Sequence, residues 1–140
     1  MPSRDKIERQ WTDKCFGCGR ENPIGLKLIF RTEGDSVKAD FVPTDPYEGY
    51  PGYLHGGITC AILDEAMGWA AYGLSSGALA ITAKAEIKFR RPLLIGEPLT
   101  VAASITRRST RHLWTKATIK RKDGKLAAEA SAIMVISDSE

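Results

Sequence analysis

The sequence predicts an α+β fold in which an antiparallel β-sheet is wrapped around one long central α-helix. Six segments alternate apolar and polar residues, which is typical of strands with one buried face. Short turn signals between successive segments favour antiparallel pairing. A long, mostly apolar stretch, residues 56–74, follows the second segment. A sheet with one apolar face has to bury that face, and this helix is the cover that the sequence offers. The predicted element order is therefore β-β-α-β-β-β-β.

The first two strands are predicted to form a hairpin. Leu26, Leu28 and Phe30 alternate with polar residues, and a second alternation runs over residues 36–41. Glu33-Gly34-Asp35 stands between them as a turn signal. The following loop, residues 43–52, is rich in proline and glycine, and its length suggests a functional role.

The stretch 56–74 is predicted to be a buried helix of a soluble protein. It carries two adjacent acids, Asp64 and Glu65, at its middle, and charge at that position would be costly in lipid. We therefore expect no membrane span. Because the helix is apolar nearly all round, it needs contacts beyond one sheet. A second copy of the chain could supply them.

Four further strands are predicted after the helix. The first has its apolar residues at the odd positions from 79 to 89 and ends at Arg91-Pro92. The other alternations cover residues 99–105, 113–119 and 126–136. We find no linker or repeat, so residues 1–140 are expected to form one domain, with residues 1–25 as a polar lead-in that contains a Cys-x-x-Cys pair.

Composition limits the partners and the compartment. The net charge of +3 is too small to indicate nucleic-acid binding, although it suits a polyanionic small ligand. The three cysteines are an odd number, and the N-terminal residues lack an apolar run of signal-peptide length. We expect a cytoplasmic protein with reduced thiols.

The segment from His55 to Asp64 is the most informative part of the chain. Gly56 and Gly57 leave the first amides of the predicted helix accessible, at the positive end of its dipole. Such amides stabilise a carbonyl oxygen that gains negative charge during acyl transfer. Asp64 lies about 10 Å further along the helix axis. If Gly57 and Asp64 act on the same carbonyl group, they therefore come from different subunits.

These residues also carry a family resemblance. His55-Gly56-Gly57 followed by an acid nine residues after the histidine resembles the signature of hotdog-fold acyl-CoA thioesterases. Among these enzymes the motif resembles the PaaI-like group of the 4-hydroxybenzoyl-CoA thioesterase superfamily. The resemblance runs from about Leu26 to Ile136. It also includes Phe89-Arg90-Arg91-Pro92, Gly96-Glu97-Pro98-Leu99 and the segment 123–128. The opening Cys15-Phe16-Gly17-Cys18-Gly19 is similar to a subgroup of these proteins.

The resemblance implies a role for each catalytic candidate. Asp64 would be the nucleophile or the general base for water. The amide of the partner's Gly57 would polarise the thioester oxygen, and His55 would orient the substrate. A plain helix-cap or turn role is the alternative for His55. Thr82 would place the water or the carboxylate, although an ordinary solvent-facing position on a strand is an alternative. Several members carry Asn or Gln where this chain has Gly49, so that side-chain amide is absent.

Substrate-binding residues are predicted from charge and position. Arg90, Arg91 and Arg108 could contact the CoA phosphates, because arginine suits phosphate geometry. Gly56 is a further candidate for substrate binding. The alternative is that these arginines form a solvated basic rim and contact no ligand.

Metal chemistry is not expected. The spacing of Cys15 and Cys18 suggests zinc or redox chemistry, but no second pair follows and the chain has only two histidines. A structural turn is the preferred interpretation, and Glu65 is taken as structural. We expect neither a metal nor a cofactor.

The leading function is acyl-CoA hydrolysis by a homodimer or a dimer of dimers, that is, a homotetramer. The alternative is a non-catalytic module that binds acyl-CoA or a lipid. A hotdog hydratase or dehydratase is disfavoured, because the histidine of the glycine-rich motif precedes a helix.

Overall fold

A computed structural model describes residues 13–137, which form one antiparallel sheet packed on one long helix. The predicted order of two strands, a helix and four strands is confirmed. The elements are β1 (Arg31–Glu33), β2 (Ser36–Phe41), a short 3₁₀ turn (Asp45–Tyr47), α1 (Gly56–Leu74), β3 (Ala80–Phe89), β4 (Leu99–Arg108), β5 (His112–Arg121) and β6 (Leu126–Ile136).

The sheet has six strands in the order β1-β2-β4-β5-β6-β3. Strands β4, β5 and β6 form a meander of hairpins, and every pairing is antiparallel. The last hairpin turns at Asp123-Gly124, where Gly124 has φ +83°. This order makes β3 an edge strand along its whole length of ten residues.

Local signals set both ends of α1. The side chain of His55 caps the N-terminus by accepting from the backbone N–H of Gly57. Beyond Leu74, Ser76 adopts the left-handed conformation with φ +53°, and the N–H of Gly77 donates to the carbonyl of Tyr72 at 3.0 Å. This is the Schellman pattern, in which a left-handed residue just after the last turn ends the helix.

The core lies between α1 and the inner face of the sheet. Ile62, Leu63 and Met67 of the helix are completely buried, as are Val101 and Ile119 of the sheet. Each such side chain stabilises the fold by about 1.5–3 kcal/mol. One strip of α1 is left uncovered, and Asp64 lies on it.

The first predicted strand is wrong in its extent. Leu26, Leu28 and Phe30 are buried as expected, but β1 contains only Arg31–Glu33. The N–H groups of Leu26 and Leu28 donate to carbonyls of the Cys-x-x-Cys loop, at 2.8 and 2.9 Å, instead of to β2. Lys27 has φ +57°, which breaks the extended conformation.

The predicted apolar face of β3 is also wrong, because a bulge divides it. The register shifts between Thr82 and Lys84. Thr82 lies opposite Met134, which is buried, so Thr82 faces the helix. Its neighbour Ile81 points away and is 66% exposed. A bulge of this kind re-aims side chains, and strict alternation along the sequence did not reveal it.

Among the described residues, none of the helices combines the length and the hydropathy that crossing a lipid bilayer requires.

Candidate active site

Asp64 and Thr82 form a hydrogen-bonded pair. Thr82 Oγ1 donates to Asp64 Oδ1 at 2.7 Å, a short distance that is typical of a hydroxyl donating to an ionised carboxylate. Asp64 comes from the middle of α1, and the β3 bulge turns Thr82 toward it. Thr82 is half-buried rather than solvent-facing. The pair leaves Asp64 Oδ2 available for another partner.

The pair opens onto a cavity of about 610 Å³ between α1 and the start of β3. Apolar side chains, including Trp69, Tyr72 and Met134, make up much of its wall. This volume lies within the usual range for small-molecule sites, which are mostly apolar with a few polar groups. The cavity can therefore hold an apolar group next to the carboxylate.

Cys60 is an unsuitable nucleophile. It lies on α1 one turn before Asp64 and is partly buried. Burial raises the pKa of the Cys60 thiol, and the thiolate is the nucleophilic form of cysteine. Asp64 is the more suitable nucleophile or base on this part of the helix.

The N-terminus of α1 is exposed at Gly56 and Gly57, as predicted. The Gly57 N–H is already engaged, since it donates to His55 Nδ1 at 2.8 Å. The first intrahelical bond runs from the Thr59 N–H to the His55 carbonyl at 3.0 Å. A side chain at position 57 would start 3.0 Å from the His55 ring. Glycine at this position therefore serves the histidine cap.

Within one protomer, the structure does not bring Gly57 and Asp64 together. Both belong to the same uninterrupted helix, so about 10 Å of axial rise separates them. Any reaction that uses both groups on one carbonyl needs a second chain.

The predicted substrate-binding residues fall at two ends of the sheet. Gly56, Arg90 and Arg91 line a second cavity of about 280 Å³. Arg90 Nε donates to Glu129 at 2.9 Å, and Arg91 Nη1 donates to the Leu126 carbonyl at 2.7 Å. Both guanidinium groups are exposed and retain further N–H donors.

Arg108 lies at the opposite end of the sheet. The strand register places it in one cross-strand row with Leu113, Met134 and Thr82. Three strand spacings separate Arg108 from Thr82, or about 14 Å. Arg108 is therefore not part of the group formed by Arg90 and Arg91 in one protomer.

Close contact of backbones accounts for Gly49, the position where an amide side chain is missing. A Cβ atom there would lie 3.0 Å from His55 Cα. The Gly49 N–H also donates to the Tyr53 carbonyl at 2.8 Å, which keeps this loop close to the helix start. A larger residue at position 49 would displace the backbone of His55.

The sequence did not predict one cluster beside Asp64. The thiols of Cys15 and Cys18 converge on the carboxylate of Glu65, with all ligand atoms within 4.8 Å of one another. Trp69 Nε1 donates to Glu65 Oε2 at 3.0 Å. The Cys-x-x-Cys spacing was the available signal, but the residue that it would meet on α1 was not evident.

Comparisons with known proteins agree with this architecture. The family model described as the thioesterase superfamily matches residues 51–128, which include α1 and the motif before it. A bovine protein named acyl-coenzyme A thioesterase THEM4 is 26% identical over 99% of this chain. The mouse protein of the same name is 32% identical over 66% of the chain. The chain spans 58% of the length of the bovine relative and 40% of the mouse relative.

Solved structures share the fold. The crystal structure of a thioesterase superfamily protein has a TM-score of 0.80 and 27% identity, and the match covers 88% of this chain and 60% of that one. The PaaI protein of E. coli matches with a TM-score of 0.74 and 18% sequence identity, and the match covers 81% of each chain. The protein smu.793 of Streptococcus mutans, solved with acetyl CoA, also has a TM-score of 0.74 and 18% sequence identity. That match covers 84% of this chain and 94% of the other. The expected hotdog fold is confirmed, and the chain belongs to the thioesterase superfamily.

Proposed function

We propose that this protein hydrolyses acyl-CoA thioesters, with Asp64 as nucleophile or general base. The observation that carries the proposal is the Asp64 carboxylate, held by Thr82 at 2.7 Å and facing a cavity of about 610 Å³. The relatives named acyl-coenzyme A thioesterase and the neighbour solved with acetyl CoA support the substrate class.

Two routes are consistent with this carboxylate. As a base, Asp64 takes a proton from water, the hydroxide attacks the thioester carbonyl, and CoA leaves as the thiol. As a nucleophile, Asp64 attacks the carbonyl carbon and expels CoA, and water then hydrolyses the mixed anhydride. In both routes Thr82 fixes the orientation of Oδ1, so that Oδ2 is the reacting oxygen.

The oxyanion donor in this proposal is the amide of the partner's Gly57 in a homodimer. The axial distance within α1 excludes the protomer's own Gly57. The edge strand β3 offers a route to a dimer, because its outer edge is unpaired over ten residues in the described chain and exposes Ile81 and Phe89. Antiparallel pairing of two such edges would place the Phe89 end of one chain beside the Ile81 end of the other.

The His55 cap sets a condition on this role. His55 Nδ1 accepts from the Gly57 N–H at 2.8 Å, so the thioester oxygen has to share or displace that contact. His55 is exposed, so its ring can turn into solvent. Arg90 and Arg91 lie next to the same helix terminus, where they would contact the CoA phosphates.

A panel of short, long and aromatic acyl-CoA substrates tests the proposal. Free CoA is measured by chromatography, since the three cysteines would react with thiol reagents. Asp64→Asn should lower kcat by about 10²–10⁴-fold, which is the usual contribution of a general base. The matched control is Asp40→Asn, because Asp40 also accepts from a threonine hydroxyl, on β2. Full turnover by a folded Asp64→Asn protein would refute the assignment.

A non-catalytic acyl-CoA-binding protein is the second candidate. Gly49 favours it, because the side-chain amide that several family members carry is absent at that position. Saturable binding across the panel without turnover by the wild-type protein would select this candidate over hydrolysis.

A further inference from the structure

We propose that Cys15, Cys18 and Glu65 form a binding site for a thiophilic divalent cation of the zinc type. The two thiol sulfurs and a Glu65 carboxylate oxygen all lie within 4.8 Å of one another. Cys15 Sγ is 3.6 and 3.7 Å from the two carboxylate oxygens. The inference concerns metal binding and does not rest on the proposed hydrolysis.

The spacing between the Cys15 sulfur and the Glu65 carboxylate oxygens is close to that in a zinc coordination shell. Zn–S bonds of about 2.3 Å and Zn–O bonds of about 2.0 Å at tetrahedral angles put sulfur and oxygen about 3.5 Å apart. Two sulfur ligands would be about 3.8 Å apart by the same geometry. The distances of 3.6 and 3.7 Å match the first value. Binding of the cation would release the thiol protons of Cys15 and Cys18 to solvent, and the cation would take the place of the proton that Cys15 donates to Glu65.

The loop that carries the cysteines is shaped to approach α1. A Cβ atom on Gly17 would meet the Glu65 carboxylate, so a side chain there would push Glu65 away from the two thiols. The Gly19 N–H donates to the Cys15 carbonyl at 2.8 Å, which closes the turn between the thiols. Two carbonyls of the loop accept from the segment before β1. The turn is therefore held at both its ends.

The surroundings of Glu65 are those of a metal-binding carboxylate. Trp69 Nε1 donates to Glu65 Oε2 at 3.0 Å, and an outer hydrogen bond of this kind orients ligating carboxylates. Cys18 is only 2% exposed. Cys15 and Glu65 are partly buried. Two thiols and a carboxylate gathered at such a site are stabilised by a cation among them.

The fourth coordination position would face the cavity beside Asp64. Cys15 and Glu65 both line the cavity of about 610 Å³, so water or a ligand can reach the cation from that side. Three protein ligands with one open position is a recognised zinc arrangement.

Metal titration of the 140-residue chain tests the inference. The protein is reduced, stripped of metal with a chelator and titrated anaerobically with Co²⁺, and then with Zn²⁺ in competition. We expect one equivalent of Co²⁺ to produce the charge-transfer absorption of thiolate ligation, and Zn²⁺ to displace it. X-ray absorption of the zinc-loaded wild-type protein should show two sulfur neighbours at about 2.3 Å and lighter atoms at about 2.0 Å.

Three variants and one control assign the ligands. Cys15→Ser and Cys18→Ser should each lower the affinity by about 100-fold or more, and Glu65→Gln by about tenfold or more, in proteins with unchanged circular dichroism. Cys60→Ser removes the third thiol, which lies outside the cluster, and should bind like the wild type. The proposal is overturned if the reduced wild-type protein shows no thiolate band. Binding that survives both cysteine substitutions overturns it equally.

Discussion

Replacing Thr82 with valine removes the hydroxyl that holds Asp64 and keeps a β-branched side chain on β3. The Thr82 Oγ1 to Asp64 Oδ1 distance is 2.7 Å, and no other donor to this carboxylate is seen among the described residues. In Thr82→Val the carboxylate therefore rotates about its side-chain torsions, and Oδ2, the oxygen proposed to react, spends less time aimed at the substrate. We expect kcat to fall while KM changes little.

The size of the fall in kcat follows from the type of hydrogen bond that is lost. A hydrogen bond to a charged group contributes about 1.5–3 kcal/mol. Because Asp64 is exposed, solvent replaces part of that contribution, and about 1–2 kcal/mol is the value to expect. Since about 1.4 kcal/mol corresponds to a factor of ten in rate, kcat should fall by about 5–30-fold. The free energy of unfolding should change by less than about 1 kcal/mol, because water can solvate the exposed carboxylate.

Thr100→Val is the matched control. Thr100 Oγ1 donates to Asp40 Oδ1 at 2.9 Å, so the same chemical pair is broken on β4 and β2, away from the cavity. Both variants are assayed for CoA release with the best substrate of the panel. If Thr82→Val keeps kcat within about twofold of the wild type while Asp64→Asn is inactive, Thr82 does not position the carboxylate.

Three further predictions follow from the glycines and the last hairpin. Gly57→Pro removes one amide donor in the first turn of the helix, where proline is tolerated, so kcat should fall by about 10²–10³-fold. Gly57→Ala keeps the N–H and should lose much less, because the exposed His55 ring, 3.0 Å from the added Cβ atom, can turn aside. Gly68→Ala places a methyl group where nothing lies within 4 Å, so it should stabilise α1 by about 0.5–1 kcal/mol in thermal unfolding. The same methyl group should narrow the cavity and lower kcat/KM for bulky acyl groups. The Arg121 side chain, which donates to Asp123, holds the pKa of that carboxyl at about 2, below its ordinary 3.8. The ionised Asp123 carboxylate therefore contributes to the free energy of unfolding above about pH 4, and this contribution is lost as the pH falls toward 2. Asp123→Asn should flatten the dependence of the melting temperature on pH in that window.

Periodicity predicted the elements that bury a regular apolar face. The helix over residues 56–74 was found with its observed ends, because apolar character and the two glycines at its start are properties of the local sequence. The meander of β4, β5 and β6 followed from strict alternation and from the Asp123-Gly124 turn. Burial of Leu26, Leu28 and Phe30 was also predicted.

Long-range contacts decided what the sequence did not reveal. The β1 prediction was too long because backbone groups of residues 26–28 bond to a loop about ten residues earlier. The β3 bulge depends on pairing with β6, which is some fifty residues away along the chain. Alternation placed Thr82 on the polar face, and the bulge turned it toward Asp64. The meeting of Cys15 with Glu65 likewise depends on how the loop packs on α1.

A heterodimer of two inactive variants tests most directly whether the site is shared between chains. One chain carries Asp64→Asn and the other Gly57→Pro, each with its own affinity tag, and the mixed dimer is isolated through both tags. If the carboxylate of one chain works with the amide of its partner, one of the two sites is intact, and the heterodimer should show about half of the wild-type kcat per dimer. If the heterodimer stays as inactive as the two homodimers, the shared site is contradicted.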